Sequence, residues 1–232
     1  MKQVFMNKLM LAASAIVAMS TVAASPAIAG SNDGKIQVKV LATGVLADGK
    51  ITSVSRDDIG LPENSQTELS DNIVPTVAVE YYLSPKLSVE TICCFTQHHL
   101  NGSDAIDGTR IVDHILVLPA TVTAKYHFAD KGPIRPYVGA GPAMYFYIDE
   151  RPGATAKALG TERVKLANRP GLALQAGVDV PLNDKGFSLS FDAKRYFVKT
   201  KAHFYDADGV EVLTTNHKVS PWVLSGGIAY RF

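Results

Sequence analysis

Cysteine, tryptophan and charge are all scarce in this 232-residue chain, and no long apolar run follows its first few dozen residues. Two cysteines exclude a small disulfide scaffold. Charged residues are 19% of the chain, below the roughly 25% usual for soluble domains. Neither sign dominates: 23 Lys and Arg stand against 22 Asp and Glu, which excludes an overall basic nucleic-acid binder. A hydrophobic share of 47% excludes an intrinsically disordered chain. Beyond residue 29 no uninterrupted apolar run reaches the roughly 18 residues that a spanning helix needs. The chain is too apolar for an ordinary soluble domain, yet it lacks the helices that would place it in a membrane.

The first 29 residues have a separate purpose. Lys2 and Lys8 form a basic start, Leu9 to Ala24 is apolar and small, and Ala27-Ile28-Ala29 fits the small-x-small cleavage rule. These features predict a signal peptide over 1–29 and a single domain over 30–232.

Along the rest of the chain the period is two. Ile36, Val38, Val40 and Ala42 share one face, with Gln37, Lys39, Leu41 and Thr43 on the other. Leu116 to Phe128, Leu172 to Val180 and Phe187 to Ala193 alternate in the same way. Alternation of this kind describes strands with one apolar side. Eight are expected, roughly 35–46, 72–83, 86–98, 113–128, 134–148, 169–181, 186–200 and 216–232. Their connections alternate in length. Ser84-Pro85, Ala129 to Pro133 and Leu182 to Lys185 are tight turns, whereas 47–71, 99–112, 149–168 and 201–215 are long, polar and rich in Gly and Asp.

The expected fold is therefore all-β: an eight-stranded antiparallel transmembrane β-barrel with short periplasmic turns and long extracellular loops. A soluble carrier barrel would show the same alternation with its faces exchanged. Rings near the strand ends favour the membrane. Tyr81, Phe128, Phe187, Trp222, Tyr230 and Phe232 lie on the apolar faces, where interfacial girdles form.

Particular stretches resemble a known family. Leu118-Pro119-Ala120-Thr121-Val122-Thr123-Ala124-Lys125-Tyr126-His127-Phe128 is similar to the LPPTLxAQYYF strand of the outer membrane protein W family. Arg135-Pro136-Tyr137-Val138-Gly139-Ala140-Gly141 matches that family's RPYVGAG motif residue for residue. Pro221-Trp222-Val223 and Gly227 to Phe232 resemble its PWVF…GYRF close. The chain departs from the family at Lys194-Arg195-Tyr196, where a Trp-Tyr pair is usual. The resemblance implies a barrel in the Gram-negative outer membrane, a narrow and largely hydrophobic interior, and passive uptake of small apolar molecules that leave sideways into the bilayer. It also implies outer-membrane lipid as surroundings and recognition of the terminal Phe232 by the outer-membrane assembly machinery. No nucleic-acid partner and no cofactor are expected.

The inward face adds its own reading. Glu80, Glu90, Lys125, Arg135, Asp179, Asp192 and Arg231 gather toward the turn end, where paired charges would form a periplasmic floor. Toward the loop end the inward residues become Leu41, Ile92, Cys94, Ile115, Val117, Ala143, Tyr145 and Val223, the expected lining of an apolar channel. Pro119 and Pro142 cannot donate to a ladder and mark places where the wall could open. Gly139 and Gly141 are expected to let strands approach or curve. The alternative function is a surface receptor, adhesin or stress-related barrel acting through its long loops.

Other chemistry finds little support. His98, His99 and His114 lie near Asp104, Asp107 and Asp113, without a recognised metal-ligand spacing. No motif links a serine to a histidine base, so no enzyme is expected. Cys93 and Cys94 are adjacent on a strand and point to opposite faces, Cys94 inward.

Overall fold

The computed structural model describes residues 30–232, and the expected signal peptide at 1–29 lies outside them. The strands in chain order are β1 (Ile36–Leu46), β2 (Lys50–Asp57), β3 (Ser65–Leu69), β4 (Asn72–Ser84), β5 (Leu87–Cys93), β6 (Thr96–Asp104), β7 (Arg110–His127) and β8 (Arg135–Pro152). They continue as β9 (Arg163–Leu166), β10 (Arg169–Pro181), β11 (Phe187–Tyr205), β12 (Glu211–Val219) and β13 (Trp222–Arg231), with one short helix, α1 (Ala154–Ala158), before β9 among the described residues. Eight strands close a ring in the order β1, β4, β5, β7, β8, β10, β11, β13 and back to β1, each pair antiparallel.

The alternation resolves the choice between soluble and membrane barrels. Toward the turn end the buried members of the strands are mainly the polar ones. Lys39 is 1% exposed and its neighbour Val40 is 61% exposed. Val77, Val122, Leu174, Phe191 and Ile228 likewise face outward. Water would penalise such a surface and hydrocarbon would not, so the barrel is built to stand in lipid. Tyr81, Phe128 and Phe187 are exposed near the turn end and Trp222 near the loop end, as girdles require.

Two of the eight expected strands are broken. Instead of running unbroken over 86–98, the chain stops at Cys93 and resumes at Thr96. The ladder onto β7 is interrupted between Ile92↔Thr121 and Thr96↔Val117. Pro119 lies in that interval and has no N–H to give. The final strand, expected over 216–232, is interrupted at Ser220-Pro221. Its upper part, β12, continues along β11 above β13 and pairs on its other side with β2.

The long connections also differ from the expected polar loops. They contribute β2, β3, β9 and α1, and together with β6 and β12 extend the sheet beyond the ring. Apolar residues dispersed through these connections, including Ile59, Leu61, Ile111 and Leu213, pack together there. In short windows they carry no clear period, and only the assembled cap gives them somewhere to be buried.

Candidate functional site

The lower lumen is filled by ions. Glu80 on β4 pairs directly with Glu90 on β5 in the strand register. Like charges in that position repel, and two lysines reach across to hold them. Lys125 Nζ lies 2.7 Å from Glu80 and 2.9 Å from Glu90. Lys39 Nζ lies 3.0 Å from Glu80, 3.2 Å from Glu90 and 3.6 Å from Asp179. Lys194 bridges Glu90 at 3.1 Å and Asp192 at 2.6 Å.

Neutral groups fill the remaining valences. Gln175 Nε2 donates to Glu90 at 2.9 Å and to Asp192 at 2.6 Å. The Tyr137 hydroxyl donates to Asp192 at 2.8 Å, and Lys125 Nζ stands 3.7 Å above the Tyr137 ring. Gly177 makes that tyrosine possible, since a Cβ there would lie 2.4 Å from its hydroxyl. Ser88 donates to Glu80, which also contacts His127 at 2.9 Å.

Of the seven residues expected in the floor, Glu80, Glu90, Lys125, Asp179 and Asp192 meet in this network. Arg135 and Arg231 lie beneath it. They line a polar recess on the turn side, where Arg231 covers the Tyr82 ring at 3.5 Å and donates to the Gly34 carbonyl. Lys39, Lys194 and Gln175 were absent from the expected floor. Their parity on the strands already placed them inward.

Above the floor the lumen changes character. A chamber of about 50 Å3 is walled almost wholly by apolar groups. Ile92, Cys94, Ile115, Val117, Tyr145 and Val223 line it, and so does Pro119. Leu41 is buried in the lumen without lining the chamber, and Ala143 packs in the core cluster beside Tyr145.

Sequence reasoning missed several walls. Tyr196 meets Tyr145 edge-on at 5.6 Å, and its hydroxyl and that of Thr121 are 3.2 Å apart. It stands in the segment where the chain departs from the family motif. Leu69, Leu100 and His217 come from the cap strands. The His217 ring contacts the Gly49 carbonyl at 3.0 Å and Thr215 at 2.7 Å. Burial pushes its imidazole below the ordinary value, against an upward pull from the Gly49 carbonyl.

The wall beside this chamber has a seam. The last ladder pair between β4 and β5 is Val77↔Cys93. Above it β4 continues to Asn72, paired to β1 alone. Asn72 Nδ2 donating to the Gln97 carbonyl at 2.8 Å and Ser70 N–H donating to the His99 carbonyl at 3.0 Å tie the far end. Pro119 lies across the same interruption, on β7, where the ladder to β5 and β6 is broken. At Pro142 the β7–β8 ladder also skips, between Thr121↔Ala143 and Ala124↔Ala140, but the strands stay close. A Cβ on Gly141 would stand 1.9 Å from the Val122 carbonyl oxygen, so glycine alone permits the approach.

The loop histidines go to separate partners. His98 contacts the Ser70 carbonyl and Thr96, His99 contacts the Asp113 carbonyl, and His114 lies 3.6 Å from Asp149.

Comparison with known proteins agrees with this architecture. The model of the OmpW family matches residues 32–232. An outer-membrane protein of Sinorhizobium fredii, itself uncharacterised, is 28% identical over 216 residues, covering 90% of this chain and 87% of that one. The crystal structure of OprG from Pseudomonas aeruginosa superposes with a TM-score of 0.74 at 23% identity, covering 88% of this chain and 99% of the other. The solid-state NMR structure of AlkL in lipid bilayers superposes at 0.69 with 21% identity, covering 90% and 94%.

Proposed function

The chain belongs to the OmpW family of outer-membrane barrels, and from that premise we propose that it is a passive entry route for small hydrophobic molecules. The single observation that carries the reading is the change of lumen chemistry along one axis: an apolar chamber directly above a closed network of buried ion pairs. An apolar molecule gains transfer free energy on entering the chamber, at roughly 25 cal/mol per Å2 of apolar surface removed from water. Going straight on would require separating charges whose desolvation cost is met only by each other. The seam between β4 and the β5–β6 segment, level with the ladder gap at Pro119 on β7, offers an exit into lipid. Unlike a continuous ladder, it has few backbone bonds to break.

Two further roles belong to the same reading. Phe232, with Tyr230 two residues before it, would serve the assembly machinery, and residues 1–29 would direct export. The reading assigns no catalytic step.

The test is uptake of an apolar fluorescent probe into liposomes carrying the refolded barrel. Val117→Arg puts a cation into the chamber wall and is expected to abolish uptake while heat-modifiable gel mobility shows that the barrel still assembles. Unchanged uptake in an assembled Val117→Arg barrel would remove the chamber from the pathway.

A further inference from the structure

The outer wall carries a feature that apolar uptake does not use. Lys199 on β11 stands directly across from Lys218 on β12, and Lys218 directly across from Lys50 on β2. All three side chains are exposed. Residues opposed in this way share a face with Cβ atoms about 5 Å apart, where like charges destabilise a sheet. Among the described residues no carboxylate forms an ion pair with any of them, including nearby Asp48. Three cations are thus held in a line with no counter-charge from the protein.

Their height is informative. On β11 the outward residues include Phe187, Phe191, Arg195 and Phe197, followed by Lys199. Ten residues separate Phe187 from Phe197. At about 3.3 Å per residue and a tilt of about 40°, they span roughly 25 Å, the height of the lipid-facing band in such barrels. Lys199 sits about 5 Å above that band by the same arithmetic. Four residues toward the membrane from each lysine along the chain stand Arg195 on β11, Trp222 on β13 and Leu46 on β1, which are cross-strand partners in one row. Arg195 stacks on the Trp222 ring at 5.3 Å. The lysine row therefore continues the lipid-contacting surface upward to the level of the outer-leaflet headgroups.

We propose that Lys50, Lys218 and Lys199 form a docking row for phosphate-bearing lipid headgroups of the outer leaflet. A phosphate group supplies the charge that the protein omits, and the apolar surface beneath receives the acyl chains of the same molecule. Bound lipid would hold β2 and β12, which extend the wall above β1 and β13, against the membrane surface.

The chain contains a single tryptophan, Trp222, placed under the row, so its fluorescence reports binding there. The mature barrel in neutral phosphatidylcholine nanodiscs is titrated with lipid A carrying both phosphates and with dephosphorylated lipid A. The phosphorylated form is expected to bind on the order of 100-fold more tightly, at about one cation's electrostatic attraction per lysine. K50Q/K199Q/K218Q is expected to abolish that preference, while K86Q/K131Q at the periplasmic turns retains it. Should the triple variant fail to fold, Lys218→Gln alone at the centre of the row is expected to lower affinity about fivefold. Equal binding of the two lipids by the wild-type barrel overturns the proposal, as does an undiminished preference in either row variant.

Discussion

The lower and upper halves of this lumen are enclosed by the same ring of strands and filled in opposite ways. Below, three lysines and four acids interlock with Gln175, Tyr137 and His127, and hardly any space is left. Above, tyrosines and aliphatic side chains line the wall and leave a chamber open. An eight-stranded ring is just wide enough for side chains to fill or for one small ligand. Long charged side chains reach the axis and meet, whereas Val, Ile and Ala stop short of it. Residue length and charge therefore go far to decide which half is plug and which is cavity, and the breaks in β5–β6 and β12–β13 fall at the level of the cavity.

The contrast predicts unequal sensitivity to truncation. Lys125→Met removes the cation nearest to both Glu80 and Glu90, leaving two opposed carboxylates buried with only Lys39 between them. Breaking a buried pair on one side costs roughly 3–5 kcal/mol. Urea unfolding in micelles should show a loss of that size. Ile115→Ala in the chamber wall removes a fully buried side chain, but it enlarges a cavity that already exists. The expected loss is about 2 kcal/mol, at the low end for such truncations. Equal losses for the two variants would mean that the halves do not differ energetically in the way their contacts suggest.

Much of this was legible from residue order. Strand faces follow from parity, and parity alone put Glu80, Glu90, Lys125, Asp179 and Asp192 inward near the short turns. Lys39 and Lys194 were equally legible by parity. They escaped notice because they lie farther from the turns, and only the tilted register brings them level with Glu90. Tyr196 was hidden in the same way, inside a segment that reads as a departure from the family motif.

The cap was not legible. Leu100 reaches the chamber from β6, whose pairing with β7 shifts register at His98/Leu100 and again at Leu100/Asn101. His217 comes from β12, where the pairing with β2 shifts between Asn216 and His217. Both side chains nevertheless keep the parity of their strands, Leu100 with Thr96 and His98 and His217 with Thr215 and Val219, so what residue order hid was how far each strand continues and what it meets there. The break at Cys94 had a visible cause in Pro119, but the cause and the break lie on different strands. Only their pairing joins them.

The most direct test of the division is Glu90→Ala, read by two measurements on the same preparation. Glu90 is the acid that Lys39, Lys125, Lys194 and Gln175 all approach. Removing it should leave those lysines to repel one another and draw water into the floor. Planar-bilayer recordings should then show small-ion conductance several-fold above wild type, while liposome uptake of the apolar probe stays unchanged. Uptake that falls with no rise in conductance would contradict the account, because the floor would then be part of the apolar path and not its closed end.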